Sequence, residues 1–518
     1  MFARYLMPAA ALCIALAAPL TAQQTAQTLP SEIRDALGRG DFATARAALA
    51  PIAEEDENAL AQFHYGTLLF QGQGGPMAQA QGIDMLEKAA AQGHAAASLL
   101  LARVYLTGNT AGAARNPERA AALLLAAAEQ GNGEAQYYLG LLYQNGSGVE
   151  KDLEQAFTLF KSAAENGNQA SQYELSKAYA NGRGTDVDGE KALHWLRAAA
   201  NSGLGDAQFF LAGALDSGQG APLDRAEALG WYRRAAENGV PIAQRILGSK
   251  YLAGDDTTAP DPNEALRWLT LAAQAGDPGA MHNLAVAYGG DHNIARNDAK
   301  ALKWYAAGSE TGLARSTYAL AQYYELGRGL PVDIKQAALL YREAFEQGDK
   351  RAALRLGYLT GQGALDAYMP PHFGVDWTAA AAREGDEDAK NWLRKQADEG
   401  LRAAETAFAL LLLDDPAQAA DAVPYLERAA EAGEVSAQFE LGMLYMTGLG
   451  VSLDYVQAHT WLNIAATSGH AKAAETREVL GNLMTPDQIS AAQTTARLFF
   501  DTSSQRRTED VVTPRSDP

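Results

Sequence analysis

The chain has 518 residues, 47% of them apolar, and a formal net charge of −20. That charge argues against a general affinity for nucleic acid or an anionic membrane surface, which needs clustered Lys and Arg. The single cysteine, Cys13, excludes a disulfide framework, and cleavage downstream of it would leave no thiolate nucleophile or metal ligand.

Residues 1–22, MFARYLMPAAALCIALAAPLTA, read as a secretory signal. Arg4 supplies the positive start, Leu6 to Leu20 the short apolar run, and Thr21 and Ala22 the small residues where cleavage falls. The run is shorter than the roughly 20 residues a membrane-spanning helix needs. Leu12 ahead of Cys13 departs from a lipoprotein signal. Export to a periplasm is expected, with secretion as the alternative and no membrane span after cleavage. Residues 23–30 read as a flexible leader, and 31–58 as a short helical pair turning at Gly40-Asp41-Phe42.

From residue 59 the chain repeats. Turn glycines stand at Gly93, Gly131, Gly167, Gly203, Gly239, Gly276, Gly312, Gly348 and Gly385, spaced 36 to 38 residues, and resume at Gly400, Gly433 and Gly469. The stretches AQYYLGLLYQNGSGVEKDLEQAFTLFKSAAENG and AQFELGMLYMTGLGVSLDYVQAHTWLNIAATSG share one pattern although about 300 residues separate them. Ala135, Leu139 and Tyr143 recur every fourth residue, which places them on one helical face. Gly146 and Gly148 end that helix, and Asp152 caps a second one, in which Ala156, Leu159, Phe160 and Ala163 face back. All seven tryptophans (195, 231, 268, 304, 377, 392 and 461) lie eight residues before a turn glycine, in a slot that elsewhere holds Met85, Leu123, Leu159, Leu340 or Tyr425. A site that accepts such exchanges is a packing site.

The units are similar to Sel1-like repeats, relatives of the tetratricopeptide repeat with a longer loop between helices. The resemblance covers about Ala59 to Gly469. It implies an all-α fold: a right-handed superhelical solenoid of paired antiparallel helices, each unit burying its face against its neighbours. The array divides into 59–360 and 401–469, with an irregular loop and an orphan helix over 361–400. The pair at 31–58 resembles a tetratricopeptide unit, 470–502 reads as capping helices that start again at Thr485-Pro486, and 503–518 as a disordered tail.

Glycine-rich corners such as NGSGVEKD raise the question of a phosphate site. NGRGTDVD, SGQGAPLD, LGRGLPVD and TGLGVSLD repeat the corner with no lysine at a fixed place, so they read as loops between helices. Asp186, Asp188 and Glu190 lack the spacing of a calcium loop and read as helix-start residues. His194 and His459 are placed on the surface of second helices, and no histidine pair has metal-ligand spacing. No catalytic residue, metal or cofactor is expected. Cysteine-rich Sel1-like proteins described as β-lactam binders provide no parallel in a chain without those cysteines.

What remains is surface. By analogy with tetratricopeptide proteins the first helices line a concave face. Just ahead of the repeated leucine they carry Tyr137, Tyr173, Phe209, Arg245, His282, Tyr318, Arg355 and Phe439. These side chains either meet an extended peptide or pack between neighbouring first helices. Tyr368 and Phe373, in the loop of the irregular region, are further contact candidates. The expectation is a monomeric, non-catalytic scaffold or adaptor for a protein or peptide in the cell envelope. The alternatives are a cell-wall enzyme or its regulator, and a purely structural spacer.

Overall fold

A computed structural model describes residues 29–54, 58–108, 113–290 and 292–512, with the backbone alone over 503–512. The signal-like segment and most of the leader lie outside the described residues. Leu29, assigned to that leader, is 4% exposed and packs in a cluster with Ile33, Ala36 and Leu49. An apolar residue just ahead of a helix is held by the first turns of that helix, which fixes the entry of the chain. Among the described residues there are 27 α-helices and no β-strand, and consecutive helices pack in pairs. The chain forms two compact units, Met1–Gln244 and Arg245–Pro518.

The stretch 133–168 shows how each repeat is built. Its first helix, Gly133–Asn145, starts where Asn132 Oδ1 accepts a 2.9 Å hydrogen bond from Ala135 N. It stops at Gly146, whose φ of 67° suits a residue without Cβ. Its second helix, Leu153–Glu165, starts where Asp152 Oδ1 accepts from Gln155 N at 2.9 Å. Ala135, Leu139, Phe160 and Ala163 are buried between the two. Gly140 sets the crossing distance, because a Cβ there would come 2.6 Å from the Phe160 ring.

In many of the repeats a buried glutamine ties the unit to its neighbours. Nε2 of Gln136, Gln208, Gln244 and Gln438 donates to a carbonyl eight residues earlier, in the last turn of the preceding second helix. Where the partner is present, Oε1 accepts from a side chain thirty residues on: Gln92 to Gln62, Ser202 to Gln172, Asn238 to Gln208. The tryptophan slot is likewise structural. Trp231 and Trp268 are buried, and their indole N–H groups donate to Glu227 at 3.0 Å and Glu264 at 2.9 Å.

Regularity fails after the helices Lys350–Gly361 and Pro371–Arg383. One helix, Glu387–Asp398, packs against both of them, and the following helix, Arg402–Leu413, reaches back to Pro371–Arg383. Gly361 permits this approach, since a Cβ there would lie 2.6 Å from Ala389 N. Trp392 and Leu393 of the extra helix join Val375, Phe408 and Leu426 in one core. A 3-10 turn, Pro416–Gln418, then leads into Ala419–Glu431.

At the C-terminal end, Tyr455–Thr467 packs against both Ala471–Gly481 and Pro486–Val512. Thr485 N donates to Gln488 Oε1 at 2.8 Å and Gln488 N to Thr485 Oγ1 at 3.3 Å, a reciprocal cap that starts the last helix. That helix runs through Val512, so the expected tail from residue 503 is helical backbone for its first ten residues, and 513–518 lie outside the described residues. His459 is not on the surface. It is 5% exposed, and burial together with the Arg477 charge of Ala471–Gly481 lowers its pKa.

Candidate first-helix face

Several of the glycine-rich corners are closed by the array itself. A Cβ on Gly148 would lie 2.3 Å from the backbone of Pro117, and one on Gly184 would lie 1.9 Å from Leu153 O. Pro117 and Leu153 are the first residues of the preceding repeats' second helices. The loop of one repeat therefore sits on the helix N-terminus of the one before, where a phosphate would have to bind. Asp188 accepts from Lys191 N at 2.9 Å and is a cap. Among the described residues no group of three or more His, Cys, Asp or Glu side chains is placed to hold a metal ion.

The eight expected first-helix residues are all half-buried, and four of them reach toward the start or body of the next first helix. Tyr173 meets the Phe210 ring at 5.8 Å. Arg245 Nε lies 2.9 Å from Asp277 Oδ1, and Phe439 stacks on His470 at 4.2 Å. His282 Nδ1 lies 3.1 Å from Ser316 Oγ. Tyr137, Phe209 and Tyr318 instead approach rings of their own second helices, Phe160, Tyr232 and Tyr341. Burial pushes the His282 pKa down to about 4, and the Arg315 and Arg351 charges add to the effect.

One member is out of register. Arg355 stands one residue before Leu356, and Leu354 holds the slot, 36% exposed. Arg355 instead pairs with Glu325 of the preceding first helix. Leu354, Ala381, Glu384, Gly385 and Asp386 line an opening of about 350 Å³ beside the break. Phe63 fills the slot in the first repeat, stacked on His94 at 4.5 Å, and the register of the later repeats points to it. Phe210, one residue past the slot, is 52% exposed and is the most open ring near the ladder. Tyr368 and Phe373 are 50% and 54% exposed, with Phe373 against His372 at 4.3 Å.

Tandem helix pairs joined through repeated caps, glycines and glutamines define an α-solenoid. Ten stretches match the Sel1 repeat model: 59–94, 95–132, 133–168, 169–204, 205–240, 241–277, 278–312, 314–349, 350–386 and 435–470. The chain belongs to the Sel1 repeat family. Its extra helix, Glu387–Asp398, and the pair that follows lie outside the matched stretches. The fold is similar to that of c5321, a protective antigen present in uropathogenic Escherichia coli strains and displaying an SLR fold. The TM-score is 0.56 at 28% identity, over 91% of this chain and 98% of that one. An uncharacterized protein of Neisseria meningitidis serogroup B is 32% identical over 266 residues, 45% of this chain and 52% of that protein. Chitin synthase regulator SKT5 of Saccharomyces cerevisiae is 29% identical over 113 residues, 21% of this chain and 16% of that protein. The chain thus matches about half or less of the length of these curated relatives. A Sel1 repeat solenoid fits a protein-interaction scaffold. No helix among the described residues is long and apolar enough to cross a membrane.

Proposed function

We propose that the protein is an exported, non-catalytic scaffold whose first-helix face binds a protein or peptide partner in cell-envelope signalling or assembly. The carrying observation is a contrast within each repeat. Buried positions repeat the same residue types, whereas the slot changes from Tyr173 to Phe209, Arg245, His282 and Tyr318, all half-buried, and to the exposed Leu354. The tryptophan slot exchanges one large apolar or aromatic residue for another, as packing allows, whereas a slot that also takes Arg245 and His282 can read a sequence. Phe210, exposed and lying against Tyr173, offers the kind of aromatic anchor on which interfaces concentrate their energy. Export rests on the signal-like residues 1–22.

The test is a photo-crosslinking amino acid at Phe210, compared with one at Arg233 on a second helix, in the full chain expressed in its native envelope. A discrete crosslinked partner from position 210 and none from 233 is expected. Equal labelling from both positions would overturn the assignment of the face. The similarity to the chitin synthase regulator favours a second reading, regulation of a polysaccharide-synthesising enzyme. In that case the crosslinked partner would be such an enzyme.

A further inference from the structure

In the second unit the first helices carry an unbalanced set of charges. From Arg245 on, the helices ending at Ala253, Tyr288, Leu326 and Gly361 hold Arg245, Lys250, Arg315, Lys350, Arg351 and Arg355 against Glu325 alone. The second helices of the same four repeats (262–274, 298–310, 334–346 and 371–383) each hold equal numbers of cations and carboxylates. In a chain of net charge −20, this local excess sits on one kind of helix.

Neighbours occupy four of these six cations. Arg245 lies on Asp277, Lys250 on Asp255 at 2.8 Å, Arg351 on Asp349 at 2.6 Å, and Arg355 on Glu325. Arg315 and Lys350 are exposed and have no hydrogen bond or ion pair among the described residues. Arg351 is exposed and held in one pose. Its guanidinium lies 4.5 Å over the Tyr318 ring, while Nε and Nη2 donate to Asp349 at 2.9 and 2.6 Å. A guanidinium has five N–H donors, so Nη1 of Arg351 retains two for another acceptor. Arg315 and Arg351 hold the same position in consecutive first helices, thirty-six residues apart, and both charges act on His282 of the first helix before them.

We propose that this part of the first-helix face takes the carboxylates of an extended acidic peptide, with Arg315 and Arg351 as the anchors and Tyr318 beneath Arg351. The inference rests on the first-helix reading above and adds a location and a charge to it. A guanidinium suits a planar carboxylate, which it can hold through paired hydrogen bonds. A long polyanion is disfavoured, because beyond this patch it meets a strongly acidic molecule.

The test uses the full chain and a fluorescein-labelled peptide of alternating glutamate and glycine, about twelve residues long so that it spans neighbouring repeats. Fluorescence anisotropy reads its affinity at several salt concentrations. In the Arg315→Gln/Arg351→Gln variant the affinity should fall about tenfold, with a weaker salt dependence. The Lys303→Gln/Arg342→Gln variant, altered on second helices, should bind as the parent does. Circular dichroism confirms that both variants keep their helical content. Equal affinity in the two variants would overturn the proposal, as would tighter binding of an oligothymidylate of matched charge. If it fails while crosslinking from position 210 persists, the broader scaffold reading stands without this site.

Discussion

Gln208 and Asn238 lie thirty residues apart and are joined by a 2.8 Å hydrogen bond from Asn238 Nδ2 to Gln208 Oε1. The same glutamine donates to Ala200 O at 3.1 Å, so one buried amide links the end of one second helix, a first helix and the end of the next second helix. In Gln136 the second half is missing: its Oε1 is buried with no hydrogen-bond partner among the described residues. Replacing Gln208 by Leu removes two buried hydrogen bonds and should cost about 2 kcal/mol, whereas Gln136→Leu should cost about 1 kcal/mol. Urea unfolding of the two variants measures the difference. Equal costs would mean that the thirty-residue link contributes nothing.

The two kinds of loop glycine should separate cleanly. Gly184 has φ +71° and no room for a Cβ, while Gly220 has φ +80° and open space around it. Gly220→Ala carries only the left-handed backbone cost, about 1–2 kcal/mol. Gly184→Ala must also move the Leu153 backbone and should lose more than about 3 kcal/mol. Thermal melts of both variants give the comparison, and similar losses would show that the loop does not rest on the neighbouring helix.

The pH dependence has a definite sign. Burial is the main cause that brings His64 and His282 from the ordinary 6.5 down to about 4. Between pH 6.5 and 4 the unfolded chain therefore binds more protons at these sites than the folded one. Their contribution to stability is complete above pH 6.5 and is lost as pH falls toward 4. The His64→Asn/His282→Asn variant should show a shallower fall in Tm across that window than the parent. Parallel Tm curves would contradict the assignment.

Glu227 joins a surface ion pair to a buried indole. Arg197 Nη1 lies 2.5 Å from Glu227 Oε1, and Trp231 Nε1 donates to the same oxygen at 3.0 Å. Both partners of the ion pair are partly open to solvent, so Arg197→Ala should cost less than about 1 kcal/mol. Trp231→Ala empties a packed slot between helices and should cost about 3–5 kcal/mol. Denaturant midpoints of the two variants decide it.

The sequence by itself determined the repeat, its helical pairing, its caps and its tryptophan slot. Each of these depends on residues close together in the chain: an Asp meets an amide three residues on, a glycine takes a positive φ, an apolar face recurs every third or fourth residue. Tertiary structure decided what depends on neighbouring repeats. The N-terminus of one second helix is closed by the next loop, His459 is buried, and Glu387–Asp398 packs on both helices before it. It also set Arg355 against Glu325 and Arg351 over Tyr318. Local pattern fixes which face of a helix is apolar. Which side chains stay open on the other face depends on what the adjoining repeat lays across it, and that contact arises only when the repeats stack.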